Sequence, residues 1–364
     1  MPLKPPSSKP KADLWIKIGI LFVALIFSLG LLEAGVRIIS PPSPFSPLLP
    51  LRPIAKRELH ANLRGISPVS YFSTNHWGMR GDEPPKAWKN YHTIVTIGGS
   101  TTQCYHLDDH KTWPYLLQER LKQQDAKTWI GNGGLPGQST RAHILFMKEV
   151  ISKIKPNAVI FLVGVNDLSL SISEDQPVYD QAPWRFRLFQ SRLFQILYTW
   201  KLILFDKVTV ESDQGHGNYE PVPLNDPLKL PDDPRLLLST LPEYGDNLKT
   251  LIRLAREMKV EPIFLTQPLL FDDTEPYRNA AGSFYWMKKT KGNLSAADYW
   301  RLLNIFNQEL LKICRQEKAE CFDLAREIPH DPLYFYDSCH FTERGAQLVA
   351  QKVARYLQKH RYSF

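Results

Sequence analysis

Apolar and polar positions divide the chain into three regimes. From Leu14 to Leu32 (LWIKIGILFVALIFSLGLL) Lys17 is the single charge in 19 residues. At about 1.5 Å per residue this stretch spans about 28 Å, close to a bilayer core. Lys17 lies near one end, where its stem can reach the headgroups beside Trp15. A cleaved signal peptide and a buried soluble helix are the competing readings. Glu33 and Arg37 follow without a small-x-small cleavage site, which favours an uncleaved anchor. Lys4, Lys9, Lys11 and Lys17 precede or open the span, while Arg37, Arg52, Lys56 and Arg57 follow more distantly, so the N-terminus is expected in the cytoplasm and the bulk outside it.

Proline-rich stretches at residues 2–10 and 41–53 cannot continue a helix and read as extended spacers. The expected division is a tail over 1–13, an anchor over 14–36, a juxtamembrane segment over 37–90 and one folded domain over 91–364. In that domain, short apolar runs end in Gly or polar turns and alternate with helical patterns. Thr93–Ile97, Trp129–Ile130, Ala158–Val163 and Pro262–Thr266 predict strands, with a weaker fifth at Cys321–Leu324. Helices are predicted over Trp113–Gln124, Arg141–Lys153, Asp246–Lys259, Ala296–Glu317 and Glu343–Lys359, with Trp113 and Pro114 as a helix entry. Continuously apolar strands alternating with helices imply an α/β fold with a parallel sheet covered on both faces.

One interval breaks this rhythm. About 90 residues separate the third and fourth strands, far beyond a normal crossover, so an insertion is expected at about 168–243. Within it, residues 184–208 have apolar positions at 184, 188, 193, 196, 197, 200, 203 and 204 and cations at 185, 187, 192, 201 and 207. That is the pattern of a basic amphipathic helix, which either lies on a membrane surface, lids a site or packs on its own domain.

Composition changes the picture little. Of 364 residues, 43% are hydrophobic, 12% aromatic and 23% charged, which describes an ordinary folded protein. The net charge of +8 comes from scattered cations without a basic stripe and interleaved aromatics, so nucleic acid is not an expected partner. Four cysteines without a CxxC pair exclude a disulfide scaffold and disfavour structural zinc. No metal or other cofactor is expected.

The chemistry concentrates in four short segments. In Ile94–Gln103 (IVTIGGSTTQ) a strand runs into Gly98 and Gly99, and Ser100 stands where a helix begins; a nucleophile placed there is exposed beside free amides. Both nucleotide-binding glycine patterns are absent. A serine hydroxyl needs a base to take its proton. His340 has Asp337 three residues ahead in a turn-like run, so the carboxylate can hold Nδ1 and leave Nε2 outward. Turns after the second and third strands supply candidate oxyanion donors, the amide of Gly137 in Asn132–Thr140 and the side chain of Asn166 in Gly164–Leu168, with an ordinary Gly or Asn turn as the alternative for each.

Together these segments resemble the four blocks of the SGNH (GDSL-type) hydrolase family, in the family's order, over about residues 91–359. The resemblance implies a flavodoxin-like three-layer α/β/α sandwich with five parallel strands in the order 2-1-3-4-5. It implies Ser100, Asp337 and His340 as catalytic triad and Ser100, Gly137 and Asn166 as oxyanion hole. One departure stands out: where the family's name motif has Asp after Gly, this chain has Gly99. The segment Asn75–Glu83 (NHWGMRGDE), with the N-terminal anchor, also resembles membrane-tethered bacterial members. The expected activity is an acylhydrolase working through an acyl-serine on an ester outside the cytoplasm, either a lipid or an acylated glycan. The alternatives are an O-acyltransferase on an envelope glycan and a non-catalytic scaffold.

Two disulfides are expected, Cys104 with Cys339 and Cys314 with Cys321, as suits an oxidising compartment. Four reduced buried thiols are the alternative. His106, His110, Asp108 and Asp109 read as a polar loop in preference to a metal site. Asn75 and Arg80 read as a tie between the juxtamembrane strand and the domain in preference to lining the site.

Overall fold

A computed structural model of the chain describes residues 10–39, 51, 55–172, 191, 193, 194, 196, 197, 218, 220–224, 228–274, 277, 280–282 and 294–360. The chain forms two compact units, one of residues 1–42 with 181–210 and one of residues 43–180 with 211–364.

The first unit is built on helix α1 (Pro10–Ile39), 30 residues long. Its segment Leu14–Ile39 is apolar and long enough to cross a membrane, and most of its large apolar side chains are exposed. The helix runs past the apolar run expected from sequence. Glu33 and Arg37 continue it as an i,i+4 ion pair at 2.7 Å, and the Ser40–Pro41 step disfavours further helix. Glu33 also accepts hydrogen bonds from Ser191 Oγ and Leu193 N. Of the amphipathic helix expected over 184–208, residues 193, 194, 196 and 197 are helical; the remainder lies outside the described residues apart from Ser191.

The second unit is organised by a five-stranded parallel sheet. Its strands are β3 (His92–Gly98), β4 (Thr128–Asn132), β5 (Ala158–Val163), β7 (Glu261–Thr266) and β9 (Glu320–Phe322), in the order β4-β3-β5-β7-β9. This is the 2-1-3-4-5 order expected. The central strands are buried nearly throughout, as their unbroken apolar runs require, and Phe161 stacks on Phe264 across β5 and β7 at 4.8 Å.

Helices α3 (Trp113–Lys122) and α8 (Glu343–Lys359) pack together. Helix α6 (Leu241–Met258) contacts both α7 (Ala296–Glu317) and α4 (Thr140–Phe146), which continues as a π-turn through Ile151. Thr112, Ser295 and Thr342 cap α3, α7 and α8 through their side-chain oxygens. Helix α6 starts one turn earlier than the apolar period suggests, because Pro242 suits the first turn of a helix.

Residues 55–90 belong to this same unit. Strands β1 (Lys56–His60) and β2 (Val69–Ser73) form an antiparallel hairpin, and Arg80 then bridges Asn132 on the edge strand β4. From the region of the insertion, β6 (Pro221–Pro223) pairs with β8 (Ala280–Gly282), which follows β7. Cys314, in α7, and Cys321, in β9, are joined by a disulfide with Cα atoms 6.1 Å apart. The second expected bridge does not form, and Cys104 and Cys339 are separate buried thiols. Cys104 Sγ points to the carbonyl of Thr101 and Cys339 Sγ to the ring of His340. Burial pushes the Cys104 thiol up to about 11 and the Cys339 thiol well above its ordinary value.

Candidate active site

The candidate nucleophile turn starts where β3 ends. A Cβ on Gly98 would stand 2.2 Å from Thr102 Oγ1 and 2.8 Å from the carbonyl of Leu162, so the tight exit from the sheet requires glycine. A Cβ on Gly99 would stand 2.3 Å from Asn166 Nδ2, the tip of a side chain, so Asn166 packs directly against this glycine. Ser100 opens the four-residue helix α2 (Ser100–Gln103), and Cys104 closes it in the left-handed region at φ +55°. The Trp113 indole donates to Thr101 O at 3.1 Å, and Thr101 Oγ1 donates to Gln267 Oε1 at 3.1 Å, so the turn is held from two sides.

The candidate base comes from the other end of the chain. Phe335 and Phe341 bridge a small loop, and inside it Asp337 Oδ1 accepts from the backbone N–H groups of Cys339 (3.0 Å) and His340 (2.7 Å). This Asx turn turns the sequence spacing i, i+3 into a fixed geometry. Asp337 Oδ2 lies 2.6 Å from His340 Nδ1, and His340 Nε2 lies 2.7 Å from Ser100 Oγ. A carboxylate only accepts, so Nδ1 carries the proton and the serine hydroxyl donates to Nε2. Asp337 and His340 are buried; Ser100 is partly exposed. Tyr336 lies parallel to the imidazole at 5.7 Å, and Leu270 N donates to Ser338 O, which fixes the loop.

The oxyanion candidates are arranged differently. Asn166, at the start of α5 (Val165–Ile172), lies against Gly99 and donates from Nδ2 to Gln138 O at 2.9 Å. Gly137, one residue earlier, is exposed at φ +71° with open space where its Cβ would be. The structure thus brings Ser100, Asp337 and His340 together directly. It brings Asn166 to the nucleophile turn, and it leaves Gly137 at the open rim of the loop that Asn166 holds.

Two side chains that reinforce this site, Asp167 and Thr140, were not singled out for it by sequence. Asp167 accepts from Thr140 N (3.1 Å) and Thr140 Oγ1 (2.6 Å), tying α5 to the start of α4. Burial raises its carboxyl to about 7, partly offset by the Thr140 bonds. His143, one turn along α4, is buried and its pKa is lowered to about 3. A polar residue directly after Asn166 was the only signal for the Asp167 clamp.

Among the described residues, one trio has donor atoms within 4.8 Å of one another, Asp337, Cys339 and His340. The carboxylate and imidazole of that trio are already bonded to each other. Asp108 accepts from Tyr71 N, and Asp109 pairs with Arg80 and accepts from Ser73 Oγ, so those acids tie the β1–β2 hairpin down.

Residues 96–348 match the GDSL-like lipase/acylhydrolase family. The chain belongs to that family, a class of ester-hydrolysing enzymes. It is 24% identical over 74 residues to an arylesterase of Vibrio mimicus, a match spanning 20% of this chain and 37% of that relative's length. Among solved structures it is similar to an acetylxylan esterase from Geobacillus stearothermophilus (13% identity, TM-score 0.42, covering 75% of this chain and 95% of that one). It is also similar to a lipase/acylhydrolase from Enterococcus faecalis (15% identity, TM-score 0.43, covering 74% and 96%).

Proposed function

We propose that the protein is a membrane-anchored serine esterase that cleaves an ester outside the cytoplasm through an acyl-serine. The observation that carries this reading is the unbroken chain Asp337–His340–Ser100, with contacts of 2.6 and 2.7 Å. As Ser100 Oγ attacks the ester carbonyl, its proton passes to His340 Nε2, and Asp337 stabilises the imidazolium. The carbonyl oxygen becomes an oxyanion facing the amides of Ser100 and Gly137 and the side chain of Asn166. Collapse breaks the bond to the alcohol, which leaves with the proton from Nε2. Water then gives its proton to His340 and attacks the acyl-serine, releasing the acid and restoring the hydroxyl. Partial exposure of Ser100 supports water as the acceptor.

An ester of a lipid or of an acylated glycan is the proposed substrate class. The apolar helix Leu14–Ile39 and the Cys314–Cys321 disulfide support an anchored domain in an oxidising compartment. With the full chain in detergent, hydrolysis of p-nitrophenyl acetate and longer esters is expected to fall at least 10⁴-fold in Ser100→Ala. Turnover that survives this change would refute the serine mechanism. For the orientation, alkaline phosphatase fused after residue 364 is expected to be active; an inactive but intact fusion would place the domain in the cytoplasm.

A further inference from the structure

The segment Asn75–Glu83 precedes the first strand of the sheet and contributes nothing to the triad, yet its internal bonds serve one end. Asn75 N donates to Met79 O, and Asn75 Oδ1 accepts from Trp77 N (3.0 Å) and Met79 N (3.2 Å). Asn75 Nδ2 donates to Asp82 O at 3.0 Å. Gly78 and Gly81 adopt φ +79° and +93°, conformations that favour glycine, on either side of the fully buried Met79 and of Arg80. The result is a closed loop that buries Met79 in the core and sends one charged side chain inward beside it.

That side chain is Arg80, buried to 4% exposure. Its Nη1 donates to the carbonyls of Gln103 (2.8 Å) and Cys104, and its Nη2 donates to that of Leu107. Nε pairs with Asp109 Oδ1 at 2.8 Å, and Phe72 covers the guanidinium face at 4.7 Å. The backbone of Arg80 also bonds Asn132, whose side chain donates to Thr102 O at 2.9 Å. The last carbonyls of the helix that begins with Ser100 are therefore satisfied by Arg80 and by the residue Arg80 bridges. A helix of four residues cannot hold itself. Cys104 N returns to Ser100 O at 2.8 Å, so a shift at the capped end passes directly to the nucleophile.

We infer that Arg80 is a positioning residue for Ser100: its guanidinium caps the nucleophile turn and sets the register of Oγ against His340. The inference rests on the serine-esterase reading. It makes the segment before the sheet part of the catalytic apparatus instead of a spacer. Lysine in its place can still pair with Asp109, but one ammonium cannot span three carbonyls in a fork.

The test uses the full chain in detergent and a fluorophosphonate probe. Labelling carried to completion counts the competent chains, while the initial rate reports the reactivity of each. Arg80→Lys is expected to label to completion but roughly ten- to a hundredfold more slowly, with kcat for p-nitrophenyl acetate reduced alike and KM within about twofold. A merely structural role would lower the competent fraction and leave the survivors at the wild-type rate; that result overturns the inference. If Arg80→Lys does not fold, Asp109→Asn keeps the guanidinium and removes the carboxylate that aims it. It is expected to slow labelling severalfold, and an unchanged rate there counts equally against the proposal. A wild-type chain that resists the probe would refute the esterase reading itself, and the role of Arg80 with it.

Discussion

The two sides of Ser100 are built on different plans. On one side, Asp337 and His340 are buried, bonded to each other and to the serine hydroxyl, and locked by two backbone N–H groups on Asp337 Oδ1. On the other, Asn166 gives its side-chain amide to Gln138 O, and Gly137 stands at an exposed loop rim. The proton-transfer side is assembled before substrate arrives. The proposed oxyanion side holds its shape through a loop clamp that engages one of the two hydrogens on Asn166 Nδ2.

The difference predicts unequal sensitivity. Asp337→Asn removes the group that fixes the tautomer of a prealigned base and is expected to lower kcat about 10⁴-fold. Asn166→Ala removes one donor and one loop contact, with an expected loss of about 10²- to 10³-fold. Steady-state kinetics on p-nitrophenyl esters separates the two; equal losses would contradict the asymmetry.

A smaller effect sharpens the same comparison, because α4 and the Asp167 clamp on it carry buried titrating groups. The Asp167 carboxyl is raised from 3.8 to about 7 in the folded protein, so the folded state holds its proton more tightly and stability falls as pH rises from about 4 to about 7. The His143 imidazole is lowered from 6.5 to about 3, so stability falls as pH drops from about 6.5 to about 3. The two slopes oppose each other over most of this range. Relative to wild type, Asp167→Asn should tilt the stability profile upward with pH and His143→Gln downward, each by at most about 1.4 kcal/mol per pH unit. Urea midpoints measured from pH 4 to 7 check this, and profiles that tilt the same way would contradict it.

Local pattern was enough to read the strands and the Asp337–His340 pair, because buried parallel strands are continuously apolar and a DxxH turn brings its own two partners together; the strand order and the grouping with Ser100 came from the family resemblance. The positions that escaped depend on long-range packing. Nothing within NHWGMRGDE says that Arg80 reaches carbonyls 23 and 24 residues away, although it does read as a tie. Asp167 looks like the tail of an oxyanion turn until Thr140 is placed above it. Cys104 and Cys339 lie close along the chain to triad members, yet their sulfurs point to different neighbours, so nearness in sequence to the site misled.

Acyl transfer to one hydroxyl is the central claim, and trapping it is the most direct test. Full-length protein mixed with p-nitrophenyl acetate, quenched in acid within the first turnover and digested, should yield a single acetyl group on the peptide bearing Ser100, with none in Ser100→Ala. An acetyl group on another side chain, or ester turnover with no acyl-protein detected while Ser100→Ala retains full activity, would contradict the account.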